Sequence, residues 1–145
     1  MSPAHTVSIR VRYAETDQMG VVYYANFFIW FEIGRVELMR SLGFDYREIE
    51  EQAKCFLPVV EATCRYKAPA RYDDLLTLET RVLNQRTAVI RFGYRLLRAT
   101  PDGEPVLLAE GETVHVVVDR AMQKTKLPER FAAALRGMSA VPVQE

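Results

Sequence analysis

The chain has 145 residues, of which 49% are hydrophobic, and its 19 acidic side chains balance 19 basic ones. We expect a single domain over residues 1–145, since domains commonly span ~100–200 residues, and the balanced charge argues against a nucleic-acid-binding protein, which normally carries a strongly basic patch. The two cysteines have no metal-binding or redox spacing and no signal peptide is evident, so we expect a cytoplasmic protein with reduced thiols.

The first predicted element is a β-strand over residues 5–13, because apolar and polar side chains alternate there. Its apolar face consists of Val7, Ile9, Val11 and Tyr13. A polar turn follows over residues 15–20, in which Gly20 can adopt backbone angles that are closed to other residues. The strand therefore has one buried side and leads directly into a turn.

A long helix is predicted from about residue 23, and it is apolar on nearly all sides. One face is defined by i, i+3, i+4, i+7 and i+11 spacing and comprises Phe27, Trp30, Phe31, Gly34 and Leu38. Further apolar residues on its other sides are Phe28, Ile29, Ile33, Val36 and Met39. Charged residues such as Glu32 and Arg35 interrupt it well short of the ~20 apolar residues of a membrane span. Such a helix belongs in the middle of a fold, and Gly43 is suited to end it.

The remainder of the chain is predicted to form four strands and a short terminal helix. The strands cover residues 59–67, 75–83, 88–98 and 106–119, with a short helix or ordered loop over residues 45–54 and a break at residues 84–86. A turn at residues 100–104 joins the last two strands, and a helix begins near Pro128 and frays after Gly137. The four strands then form an antiparallel meander. Because the central helix is too apolar to lie on this sheet with its back in water, we expect the sheet to curl around it and a second subunit to cover the rest.

The residues that lead from the first strand into the helix form a motif with a known counterpart. Tyr13, Thr16-Asp17, residues 20–23 and Ala25-Asn26, followed by Phe31-Glu32 and Arg35, resemble the 4-hydroxybenzoyl-CoA thioesterase family of acyl-CoA thioesterases. The resemblance continues through residues 59–62, 68–74, 115–119 and 127–129. It therefore covers nearly the whole chain, roughly residues 7–131.

This resemblance implies a hotdog fold, an α+β architecture in which a five-stranded antiparallel sheet wraps around one long central helix. It also implies that two subunits pair edge to edge and often pair again into a homotetramer. Asp17 would be the catalytic carboxylate, and the backbone N–H near Tyr24 would point at the thioester carbonyl. The chain departs from many members, notably the Tol-Pal-associated ones, which carry histidine where this chain has Tyr24. Gln18 and Met19 replace smaller residues in the turn, which would narrow the site.

Asp17 is the leading catalytic candidate, since thioester hydrolysis needs an activated water or a nucleophile. A carboxylate can act as general base or attack directly to form a mixed anhydride. The alternative is a structural aspartate whose side chain bonds the backbone two residues on, in a turn that contains Gly20. The backbone N–H groups of Tyr23 and Tyr24, at the start of the helix, lack helical partners and form a candidate oxyanion site unless water or Asn26 satisfies them.

Two sets of residues are candidates for substrate binding. The aromatic set would line an acyl or aryl pocket or else belong to the core, and it comprises Tyr23, Phe27, Trp30 and Phe31. The basic set would contact the phosphates of coenzyme A or else be solvated surface charge, and it comprises Lys67, Arg71, Arg86, Arg91, Lys124 and Lys126. No metal or separate cofactor is expected, and His115 in a valine-rich strand is expected to be structural.

These observations lead to the hypothesis of an acyl-CoA thioesterase acting on a small or medium acyl- or aroyl-CoA and forming a homodimer or homotetramer. The alternative is a non-catalytic protein of the same fold that binds acyl-CoA or an acyl-carrier protein. The intact Asp17 and Gly20 favour the enzyme, because a protein that only binds has no evident need of them. The choice between nucleophile and general base stays open at this point.

Overall fold

Five β-strands and one long helix dominate the structure, a computed structural model that describes residues 4–43, 46–86 and 88–138. The strands are β1 (His5–Arg10), β2 (Val59–Tyr66), β3 (Leu75–Arg86), β4 (Val89–Thr100) and β5 (Gly103–Val116). The helices are α1 (Asn26–Ser41), α2 (Tyr46–Glu48), which continues as a π-helix over Ile49–Ala53, and α3 (Glu129–Arg136). A 3₁₀ turn covers Tyr13–Glu15. No helix in this described part of the chain is long and apolar enough to cross a membrane.

The strands form one antiparallel sheet in the order β1-β3-β4-β5-β2, and α1 lies against its inner face. Alternation along β3 explains this placement, because Leu76, Leu78, Thr80 and Val82 are buried while the residues between them face outward. The hotdog architecture implied by the family resemblance is confirmed.

The predicted meander of four strands is only partly correct. β3, β4 and β5 follow one another, but β2 pairs with β5 at the far edge of the sheet, where Cys64 lies opposite Gly111. The predicted break at residues 84–86 is wrong. A register shift between Val82 and Asn84 absorbs the irregular spacing, and β3 continues to Arg86.

Other element bounds differ from the prediction by a few residues. β1 ends at Arg10, and Tyr13 lies in the 3₁₀ turn with 77% of its surface exposed, so it does not belong to the buried strand face. α1 begins at Asn26, and it is followed by Gly43, whose φ of 94° is the left-handed conformation common after a helix. Residue 45 and the segment beyond residue 138, where fraying was predicted, lie outside the described residues.

The face of α1 that the sequence predicts to be buried is buried at all five positions. Gly34 permits the closest approach to the sheet, because a Cβ atom there would lie 2.3 Å from Thr80 Oγ1. The opposite side of the helix is different: Ile29 and Ile33 keep 56% and 42% of their surface exposed in the single chain. The chain's own sheet therefore covers only one side of this apolar helix.

His115 lies in the core of the sheet and is held by hydrogen bonds on both ring nitrogens. Nδ1 lies 2.9 Å from the Leu57 carbonyl oxygen and Nε2 lies 2.8 Å from Thr113 Oγ1, which in turn lies 2.6 Å from the Tyr94 hydroxyl. Burial is the largest cause that lowers the pKa of His115 from 6.5 to about 4; the charge of Arg35 acts in the same direction, and the hydrogen bond to the Leu57 carbonyl opposes it. This environment suits the structural, neutral histidine that the sequence predicts.

Candidate active site

The turn that carries Asp17 is closed by backbone hydrogen bonds. The Asp17 N–H donates to the Val21 carbonyl at 2.9 Å, and the Gly20 N–H donates to the Asp17 carbonyl at 2.9 Å. Gly20 has a φ of 81°, a left-handed conformation that strains other residues. An isolated bridge between Thr16 and Val22 joins the two arms of the turn. Glycine is therefore required at the point where the chain reverses, as the sequence indicates.

One oxygen of Asp17 is fixed and the other is open. Oδ1 accepts a hydrogen bond from the Met19 N–H at 2.9 Å, which is the turn contact expected of a structural aspartate. Among the described residues, none donates a hydrogen bond to Oδ2. Asp17 is half-buried at the wall of a cleft. The turn contact thus holds the carboxylate in one orientation and leaves one oxygen for a ligand, so the structural and catalytic interpretations are compatible.

The two backbone N–H groups predicted as an oxyanion site differ in availability. The Tyr23 N–H donates to the Glu15 carbonyl at 2.9 Å, so this part of the prediction is wrong: the helix start is tied back to the turn. The Tyr24 N–H has no acceptor among the residues that the structure describes. The Asn26 side chain makes a different contact: its Nδ2 donates to the Glu15 carbonyl at 2.8 Å, and its Oδ1 accepts no hydrogen bond from the Tyr24 N–H. Tyr24 remains the single candidate donor of the predicted pair.

Asp17 and Tyr24 line the same open cleft of about 520 Å³, within the range typical of small-molecule sites. Its described lining residues also include Met19, Tyr23, Phe27, Tyr66 and residues 67–70. Asp17 and Lys67 are the only charged side chains in that lining. The cleft therefore combines one carboxylate with mostly aromatic and apolar walls.

Tyr66 is a cleft residue that the sequence reasoning missed. Its hydroxyl, at the end of β2, donates to the Tyr24 carbonyl at 3.0 Å, and its ring packs edge-on against Phe27 with a centroid distance of 5.0 Å. Burial is the largest cause of the raised pKa of Tyr66, so the hydroxyl stays protonated and remains a donor. A tyrosine at the end of an alternating strand carries no local signal for this role, because its partner lies in a remote segment.

Tyr23 stands beside Tyr24 at the cleft entrance, with ring centroids 4.8 Å apart. The pKa of Tyr23 is raised, chiefly by a hydrogen bond to the Tyr24 side chain, and the charge of Asp17 adds to the effect. Both phenols are in position to contact a ligand that approaches Asp17.

Two of the four aromatic candidates do not line the cleft. Phe31 is fully buried and stacks on Tyr94 with a centroid distance of 4.3 Å. Trp30 is buried as well, and its Nε1–H donates to Glu15 Oε2 at 2.8 Å. These two residues belong to the core, so their prediction as pocket residues is wrong, whereas Tyr23 and Phe27 do line the cleft.

The basic candidates are scattered over the single chain. Lys67 lies in the cleft wall, with Nζ 3.7 Å from Glu110 Oε1. Arg91 lies 3.3 Å from Glu112 Oε2 on the sheet. The remaining four are exposed and are absent from the cleft lining: Arg71, Arg86, Lys124 and Lys126. A contact between these five residues outside the cleft and coenzyme A stays a prediction.

Glu15 is a second residue that the sequence reasoning missed. Its carboxylate is buried, with 6% of the residue exposed, although an acidic residue in a polar turn is normally solvated.

Within residues 4–43, 46–86 and 88–138, no group of three histidine, cysteine, aspartate or glutamate side chains is placed to hold a metal ion.

A sheet wrapped around a helix, with a carboxylate turn at the start of that helix, defines this chain as a hotdog-fold protein. Residues 11–135 match the sequence profile of the Thioesterase-like superfamily, and the chain therefore belongs to that superfamily. The family resemblance seen in the sequence motif is thus confirmed.

Individual relatives agree with this assignment. The chain is 33% identical over 129 residues to the acyl-CoA thioester hydrolase YbgC of Escherichia coli O6:H1, and the aligned residues cover 88% of this chain and 92% of the relative. The hypothetical protein TT1821 of Thermus thermophilus has a similar structure, with a TM-score of 0.84, 34% identity and coverage of 96% of this chain and 100% of that chain. The 1,4-dihydroxy-2-naphthoyl-CoA thioesterase Slr0204 of Synechocystis has a TM-score of 0.82 at 25% identity, covering 92% and 96% of the two chains.

Proposed function

We propose that this protein hydrolyses the thioester bond of a small or medium acyl- or aroyl-CoA to the free acid and coenzyme A. The observation that carries the proposal is the shared cleft of Asp17 and Tyr24, in which one carboxylate oxygen and one backbone N–H have no partner within the described chain. The names of the relatives support the same reaction, since one is an acyl-CoA hydrolase and another acts on an aroyl-CoA.

The Tyr24 N–H is the donor for the thioester carbonyl oxygen. The Tyr23 carbonyl belongs to the same peptide unit and accepts the Asn26 N–H at 3.0 Å, which polarises the unit and strengthens its N–H as a donor. Negative charge develops on the substrate oxygen as the tetrahedral intermediate forms, so this hydrogen bond is stronger in the transition state. Loss of one such donor typically costs ~2.7–4 kcal/mol of transition-state stabilisation.

Asp17 supplies the attacking group. As a general base it takes a proton from water, whose oxygen bonds to the acyl carbon. As a nucleophile, its open oxygen bonds to that carbon, and water then hydrolyses the mixed anhydride. In both routes the carbon–sulfur bond breaks with departure of the coenzyme A thiolate. Thiols ionise with a pKa of ~8–9, so the leaving group needs little help from an acid.

The acyl group lies against the aromatic wall of Tyr23, Phe27 and Tyr66, and Lys67 at the cleft is the nearest candidate for a coenzyme A phosphate. The five other basic candidates complete that contact in the assembled protein. No metal or separate cofactor takes part, and the enzyme works in the cytoplasm.

The functional unit is a homodimer, and two dimers pair into a tetramer. Support comes from β2, an edge strand that has no neighbour on its outer side within the described residues and that exposes both faces, including Val59 and Val60. The exposed Ile29 and Ile33 of α1 add a second apolar surface. An uncovered edge of eight residues promotes pairing with another chain, so a second copy is the natural cover.

The test is release of free thiol from a panel of acyl-CoAs, aroyl-CoAs and an acylated carrier protein, with the wild type beside Asp17→Asn. We expect turnover by the wild type and a fall of roughly two or more orders of magnitude in the variant, with no change when a chelator is added. A folded wild type that is inert on every thioester would refute the enzyme and favour the non-catalytic acyl-CoA or carrier-protein binder.

A further inference from the structure

The buried carboxylate of Glu15 is bonded on both oxygens. Oε1 accepts the Arg12 backbone N–H at 2.8 Å, and Oε2 accepts the Trp30 Nε1–H at 2.8 Å. The Arg12 guanidinium adds a nearby positive charge, with Nε 3.6 Å from Oε1. Burial of a carboxylate is strongly unfavourable unless its oxygens are paired in this way. This arrangement therefore fixes the Glu15 side chain between the incoming strand and the middle of α1.

The backbone of Glu15 makes two further contacts, both with the start of α1. Its carbonyl oxygen accepts the Tyr23 N–H at 2.9 Å and Asn26 Nδ2 at 2.8 Å. One residue thus holds three segments together: the chain just after β1 at Arg12, the start of α1 with the residues before it, and the helix interior at Trp30. Of the residues that Glu15 contacts in this way, only Tyr23 lines the cleft.

Asp17 follows two residues later on a turn whose other hydrogen bonds are mostly internal. Two residues of extended chain span about 7 Å, so a rotation of about 10° at Glu15 would displace the Asp17 carboxylate by roughly 1 Å. A misplacement of about that size can reduce the rate of a reaction ~10²-fold. The distance between the Asp17 carboxylate and the Tyr24 N–H therefore depends on how firmly Glu15 is held.

We propose that Glu15 is a positioning residue that sets Asp17 against the Tyr24 N–H through its paired bonds to Arg12 and Trp30. This inference rests on the proposed thioesterase function. Glu15 touches no reacting atom, and it acts on the rate through the orientation of the turn.

The test compares Glu15→Gln with the wild type in steady-state kinetics on the best thioester of the panel. Glutamine keeps the shape but offers one oxygen and one NH₂ group, so it cannot accept both N–H donors. We expect kcat to fall by about 10-fold or more with KM within about twofold, because substrate contacts are retained. Circular dichroism at the assay temperature establishes that the variant is folded.

The matched control is Glu79→Gln, which also removes a carboxylate with two partners, Arg81 and Arg95, but on the sheet away from the cleft. We expect its kcat to equal that of the wild type. Trp30→Phe removes the Nε1–H and keeps an aromatic ring, so it serves as the second variant if Glu15→Gln does not fold. Its kcat should fall with KM unchanged, and the double variant should lose less than the product of the two single effects.

The outcomes separate this inference from the proposed function. An inert wild type refutes both. An active wild type with kcat unchanged in folded Glu15→Gln, or in Trp30→Phe where the former does not fold, refutes the positioning role alone. If kcat falls equally in Glu15→Gln and in Glu79→Gln, the positioning role is also refuted, because the loss would then not depend on the position of the carboxylate beside the active site.

Discussion

Replacing His115 should change how the stability of the protein depends on pH. His115 is fully buried, its Nδ1 faces the Leu57 carbonyl and its Nε2 faces the Thr113 hydroxyl. The unprotonated Nε2 accepts the Thr113 O–H, which leaves Thr113 Oγ1 to accept from Tyr94. Protonation of Nε2 places a charge in the core, so burial, aided by the positive charge of Arg35, depresses the pKa to about 4.

The sign follows from proton binding. Between pH 6.5 and 4 the unfolded chain binds a proton at His115 that the folded chain does not, so stability is full above pH 6.5 and falls as the pH drops toward 4. With these two pKa values the loss of unfolding free energy is about 2 kcal/mol at pH 5 and about 3 kcal/mol at pH 4.

The assay is urea unfolding followed by circular dichroism from pH 8 to pH 4, at one protein concentration, since assembly adds to apparent stability. His115→Gln should be less stable than the wild type at pH 8, and this difference should shrink by about 2 kcal/mol at pH 5. His5→Gln removes the only other histidine and is measured in parallel as the comparison variant. A wild-type advantage over His115→Gln that stays constant from pH 8 to pH 5 would refute the depressed pKa.

Two further perturbations test the packing of α1 and its first turn. Gly34→Ala would place a Cβ atom 2.3 Å from Thr80 Oγ1 and 2.7 Å from Leu78 Cδ2. We expect the free energy of unfolding in urea to fall by ~1–3 kcal/mol, and adding Thr80→Ala should restore part of this loss. An unchanged urea midpoint would contradict the close contact. Tyr66→Phe removes the donor to the Tyr24 carbonyl and should lower stability by ~0.5–1.5 kcal/mol. The kcat of Tyr66→Phe should fall as well. If the variant has the same stability and the same kcat as the wild type, Tyr66 does not hold the helix start.

Local sequence patterns predict the elements well and their pairing poorly. The spacing that begins at Phe27 identifies the buried face of α1, because helical periodicity depends only on neighbouring residues. The position of β2 beside β5 depends instead on segments about 50 residues apart, such as Cys64 and Gly111. The polar residues near Asn84 resemble a turn, yet a register shift accommodates them within β3.

The candidate site shows the same division. Asp17 and Gly20 are predictable because their turn is local, and the turn geometry is present as expected. Spacing alone does not distinguish the aromatic candidates that line the cleft from those that belong to the core. Phe27 and Trp30 share one helix face, and only the position of the cleft separates them. The burial of Glu15 is not predictable from neighbouring residues, because its partner Trp30 lies fifteen residues away in the chain.

Trp30 gives the protein a built-in optical probe of its own cleft. It is the single tryptophan of the chain, and its indole N–H is bonded to a carboxylate two residues from Asp17. Indole emission depends on the electric field and the hydrogen bonding around the ring, and a buried ring keeps quenchers at a distance. A ligand that displaces the turn should therefore shift the emission of unmodified protein, which gives a signal for binding that needs no label.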